Sequence, residues 1–76
     1  MKDLIKFLIQ NITGNSDFDI EEKEDEKGSL FVVNAKPEII GLIIGKGGKT
    51  IKNIRRIASI KAVLENKAIN ISVLEI

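Results

Sequence analysis

Eight consecutive residues near the middle of the chain, Ile43-Ile44-Gly45-Lys46-Gly47-Gly48-Lys49-Thr50, set glycine against lysine. That mixture brings backbone N–H groups and positive charge close to phosphate oxygens, and it serves two chemistries. One is a cradle for the phosphates of a nucleotide. The other is a clamp on the sugar–phosphate backbone of a nucleic-acid strand. Spacing separates them. A P-loop ending in Gly48-Lys49-Thr50 needs another glycine five positions before Gly48, directly after a strand. Ile43 stands there instead, inside an apolar helical run, and no acid is placed at the end of a later strand to hold magnesium. A GxGxxG loop fails too, because its third glycine would be Thr50. The pattern that is complete is I-I-G-x-x-G-x-x-I, from Ile43 and Ile44 through Gly45 and Gly48 to Ile51. A Gly-x-x-Gly link between two helices has no β-carbon at either end. A polynucleotide backbone can therefore approach it, and the N–H groups opening the second helix.

Charge points the same way. Net charge is only +1, but residues 17–26 carry seven acids and one lysine. Residues 39–64 carry Lys46, Lys49, Lys52, Arg55, Arg56 and Lys61 with no acid. Lysine in or just before a first helical turn opposes the helix macrodipole by roughly 0.3–1 kcal/mol. A sequence selected for stability alone would place Asp or Glu there. An incoming phosphate reverses the sign, since helix end and lysines then attract the same anion. Histidine and cysteine are both absent, which removes the commonest general base and every thiolate ligand. Binding is favoured over catalysis, with no cofactor, metal or small-molecule substrate expected.

The loop must be positioned by elements that the pattern makes legible. Leu4, Ile5, Leu8 and Ile12, with Phe7 and Ile9 beside them, predict an amphipathic helix over 2–12, stopped by Gly14. Phe18 and Ile20 alternate with Asp19 and Glu21, predicting an edge strand over 17–24 that charge protects. Asp25–Ser29 is turn chemistry, and Leu30–Ala35 reads as a better buried strand forming a hairpin with the first. Pro37 and Glu38 open a helix that Gly45 ends. Ile51, Ile54 and Ala58 recur at helical spacing to about Asn66. Ile54 and Ile57 are expected mainly in the core and Ile51 at a groove edge. The last strand is "AINISVLEI". About 32 residues and two helices join the second strand to the third, which suits a parallel crossover. Asp3 and Lys6 interrupt any signal-peptide core, and no run approaches the ~20 apolar residues that span a bilayer. A cytoplasmic location with no membrane contact is expected.

Order and motif together resemble a type II KH domain, and most closely the small bacterial KH proteins of the KhpA (YlqC) family. The resemblance rests on Pro37-Glu38-Ile39-Ile40-Gly41-Leu42-Ile43-Ile44-Gly45-Lys46-Gly47-Gly48 and covers essentially all 76 residues. It implies an α+β fold of order α-β-β-α-α-β, a three-stranded mixed sheet with three helices packed on one face. One domain, 1–76, would comprise an N-terminal helix and strand (1–28) and a β-α-α-β core (29–76). It implies that single-stranded RNA, about four nucleotides, lies in a narrow groove. Gly45, Lys46, Gly47 and Gly48 would grip the backbone, with Lys49, Lys52 and Arg55 alongside. The groove floor would be Ile43, Ile44, Ile51 and Ile54, and the far wall the Leu30–Ala35 strand with the loop near Asp25–Gly28. The family also implies an RNA chaperone linked to cell-envelope control, acting as a homodimer or heterodimer with a larger Jag-type KH protein.

Two departures stand out: the acidic loop before the second strand would repel RNA there, and Gly47 replaces a long polar residue, loosening the turn. A second class of reading is a protein–protein module that uses the helix face, with RNA incidental.

Overall fold

Gly14, at φ 68°, donates its N–H to Gln10 O at 2.9 Å and so ends the first helix, α1 (Lys2–Thr13). The computed structural model describes all residues, Met1–Ile76. After α1 come β1 (Phe18–Asp25), β2 (Gly28–Ala35), α2 (Pro37–Ile44), a 3₁₀ turn (Lys46–Gly48), α3 (Lys49–Leu64) and β3 (Ile69–Glu75). This is the expected α-β-β-α-α-β order.

The sheet runs β1-β2-β3, with β1 antiparallel and β3 parallel to β2. Register places Ile20 opposite Val33, and Phe31 opposite Ile71. Alternation then puts Ile20, Phe31, Val33, Ala35 and Ile71 on one face, all buried in a cluster with residues of all three helices. The opposite face carries Leu30, Val32 and Asn34, and Asn34 donates from Nδ2 to Glu21 Oε1 at 3.0 Å. The three helices therefore cover one side of the sheet.

Only 15 of 76 residues are buried, so a few contacts hold each element. Ile5 and Ile9 anchor α1, each stabilising by roughly 1.5–3 kcal/mol. Phe7, at 59% exposure, and Ile12 lie outside that seam. Of the expected stripe Leu4, Ile5, Leu8 and Ile12, only Ile5 is buried, and the seam continues through Ile9, with Leu8 and Met1 at its margin. In α3 the buried line is Ile51, Ile54, Ala58 and Ala62. The expectation for Ile57 fails, since it is 42% exposed. Small alanines at 58 and 62 draw α3 close to its neighbours, and a narrow seam leaves Ile57 outside. The end of α3 is set by Asn66, at φ 56°, with Asn66 N–H on Val63 O and Lys67 N–H on Ala62 O. That left-handed cap satisfies two terminal carbonyls and stops the helix at Leu64.

The β1–β2 turn is organised by Asp25, whose Oδ1 accepts from Lys27 N–H at 2.8 Å and Gly28 N–H at 3.0 Å. Gly28 has φ 146°, and a β-carbon there would run into the Ala68 carbonyl that Ser29 N–H also uses. Backbone cannot move aside as a flexible side chain would. Gly28→Ala should therefore lower unfolding free energy by about 2–3 kcal/mol in urea titrations. A change below about 0.5 kcal/mol would show that β2 and β3 are not packed this tightly at their start.

Candidate nucleic-acid interface

Pro37 occupies the first turn of α2, and Lys36 O accepts from Ile39 and Ile40 N–H at 3.0 and 2.9 Å. The helix stops at Gly45, which donates to Gly41 O at 2.9 Å while adopting φ 75°, ψ 172°. That conformation belongs essentially to glycine. A second constraint acts at the same residue. A β-carbon on Gly45 would overlap the side chain of Thr50, the second residue of α3. The corner is thus a break between two helices, as the Gly-x-x-Gly pattern predicts.

Gly47 and Gly48 are glycine for a different reason. Both are left-handed, at φ 66° and 76°, and nothing lies within 4 Å of where their β-carbons would stand. Gly48 N–H bonds Gly45 O at 3.1 Å and Lys49 N–H bonds Lys46 O, closing a single 3₁₀ turn. The second glycine, expected from sequence to loosen the loop, supplies one of two successive left-handed residues. Gly48 is also the N-cap of α3, with no side-chain cap, and the first turn has no acid. Lys46, Lys49 and Lys52 are all exposed around this end. Positive helix end, open backbone and lysines converge on one corner.

The aliphatic floor is smaller than expected. Ile43 and Ile54 are fully buried and Ile51 is buried, so these three join α2 to α3 rather than offering contact surface. Ile44 alone of the four keeps accessible surface beside the loop. The far wall also changes. With β1 on one side and β3 on the other, β2 is the central strand, and both its edges are paired. The free edge beside α2 and α3 belongs to β3, which both helices touch. This was implicit in the hairpin plus parallel crossover, since those pairings together leave β2 no free side. The acidic strand β1 lies at the opposite edge, about 10 Å away at usual strand spacing, and only its end returns toward that wall, where Asp25 lines a depression with Ala68, Ile69 and Asn70 at the start of β3.

Arg55 joins the two sides. Its Nε and Nη2 donate to Ile71 O at 3.2 and 3.0 Å, linking α3 to β3. Sequence spacing marked the residue as basic but had no signal for this tether. The loop glycines can be tested against each other. Gly45→Ala should cost about 2–4 kcal/mol, from strain and the Thr50 overlap. Gly47→Ala should cost only about 1–2 kcal/mol. Thermal unfolding of both variants checks the order, and equal costs would refute the close contact.

Comparison with known proteins agrees with this architecture. Residues 2–73 match the family described as KhpA/KhpB, KH domain. The chain is 27% identical over 75 residues to the RNA-binding protein KhpA of Clostridium perfringens, covering 97% of this chain and 100% of that one. It is 28% identical to RNA-binding protein KhpA of Clostridium acetobutylicum, with the same coverage. No solved structure matches the chain. With the helix order, the mixed sheet and the broken α2–α3 corner in place, the chain belongs to the KhpA/KhpB KH-domain family.

Proposed function

We propose that this protein binds single-stranded RNA through the Gly45–Gly48 corner, without catalysis, and acts as an RNA chaperone in the cytoplasm. No helix is long and apolar enough to cross a membrane. The observation that carries the reading is the corner itself, an uncapped helix start with exposed backbone and Lys46, Lys49 and Lys52 around it. Phosphates of a bound strand would take the N–H groups and lysines. Ile44 would meet sugar or base, and the β3 edge would form the opposite wall. Relatives named as RNA-binding support the assignment. The only aromatics are three phenylalanines, one of them buried in the core, which disfavours a stacking platform.

A groove for about four nucleotides binds weakly alone, and a second site raises affinity through effective concentration. The proposed assembly is a homodimer or a pairing with a larger Jag-type KH protein. Its surface is the outward side of the last three turns of α3. There Ile57, Ile60, Val63 and Leu64 are 42%, 60%, 76% and 81% exposed. These residues are C-terminal to Lys49 and Lys52 on the same helix, so RNA and protein would use different stretches of it. The protein-interaction reading is thereby retained as a second surface rather than a rival to the first.

Two measurements test these statements. Fluorescence anisotropy with a labelled single-stranded RNA should show affinity falling with salt at about −0.7 log units per phosphate neutralised. The double variant Lys46→Asp/Lys49→Asp should bind more than 10-fold less well, with a slope shallower by about 1.4. An unchanged slope in a folded variant would place RNA elsewhere. For assembly, Ile60→Asp should shift sedimentation toward monomer without changing the circular dichroism. Unaltered association would move the interface off α3.

A further inference from the structure

The β3 edge carries more chemistry than a wall requires. Ala68 O accepts from Ser29 N–H, and Ile76 N–H donates to Ala35 O, at the two ends of the β2–β3 ladder. In a parallel ladder the N–H and C=O of one residue point the same way, and the direction alternates along the strand. Even-numbered residues therefore face β2. Ile69, Ile71 and Val73 turn their backbone groups outward, toward the open edge. Of these, Ile71 O is already bonded by Arg55.

A guanidinium has five N–H donors in a planar array with two forked edges, one from Nε with an Nη and one from the two Nη atoms. Ile71 O occupies the first fork through Nε and Nη2. The second fork is left intact, on an exposed residue, beside a depression lined by Arg55, Ser59, Ile69, Asn70 and Ile71. The tether also holds the guanidinium at the strand edge, so little rotamer freedom remains to be lost when that fork is used.

We infer that Arg55 reads a base in the groove, selecting one that offers two adjacent acceptors. The inference rests on the RNA-binding reading above and adds selectivity to it. Two bases fit: guanine through O6 and N7, and cytosine through O2 and N3. Adenine places an amino donor next to N7, and uracil separates its two carbonyls with an N–H. Either would set a donor against the fork. Backbone N–H and C=O groups of Ile69 and Val73 remain on the same edge for the rest of the base. A lysine at this position would keep the charge but lose the fork.

The test uses four labelled RNA octamers of uridine, with position four left as U or changed to A, C or G. The intact chain should prefer the C or G octamer over the U and A octamers by roughly 5- to 150-fold, the usual worth of one bidentate pair. The C and G arms report which acceptor pair is used. In Arg55→Lys the four affinities should converge. Equal binding of all four by the intact chain overturns the inference. So does a preference that survives in Arg55→Lys. Uniform weakening with a lowered Tm overturns it too, by showing that Arg55 only ties β3 to α3. Those three results leave RNA binding standing. Absence of binding to any octamer would instead remove the RNA reading, and this inference with it.

Discussion

The corner between α2 and α3 closes because Gly45 has no side chain. Thr50 fills the space where a β-carbon would stand, and φ 75° with ψ 172° is a conformation other residues avoid. From that contact follow the direction in which α3 leaves the loop and the exposure of Gly47 and Gly48. The meeting of Ile43 with Ile51 and Ile54 in one core follows as well. The buried isoleucines stabilise the corner from beneath, and their burial is why so little aliphatic surface is left to a ligand. Packing and binding compete for the same side chains here, and packing has taken three of the four.

Electrostatics at the corner oppose stability and favour a ligand. An uncapped N-terminus flanked by Lys46 and Lys49 is a helix start that costs free energy in the empty protein. The same arrangement becomes favourable once an anion is seated. The seven acids of residues 17–26 sit on and around β1, with those at the hairpin turn, Glu24, Asp25 and Glu26, beside the residues that lead into β3. A near-zero net charge thus conceals an acidic stretch about β1 and a basic one along α3 and the loop before it.

The long helix α3 divides its labour along its length. Its first turns carry the lysines, its middle fastens β3 through Arg55, and its outward C-terminal side is apolar and uncovered. Ala58 and Ala62 make this possible, because a narrow inner seam leaves the wider isoleucines outside. A small core of this kind cannot bury every apolar residue in the chain. Which ones remain outside is set by the seam on which α3 packs.

Much of this was legible without coordinates, for local reasons. Gly14, Pro37 and Gly45 mark helix limits through backbone conformation alone. Period-two alternation marks the strands, and Gly-x-x-Gly followed by Ile51 marks a helix–loop–helix corner flanked by lysine. Element order and boundaries, the location of the loop and the sign of its charge therefore belong to the sequence. Other properties depend on residues that are distant along the chain. Ile51 and Ile57 are the same residue type on one helix, yet only Ile51 is covered, because α3 packs on its alanine side. Strand β2 looked like a groove wall until pairing on both sides made it central, and Arg55 looked like any solvated cation until β3 placed a carbonyl beside it. Periodicity states which residues share a face. Only tertiary packing decides which face meets a neighbour and which carbonyl is left at an edge.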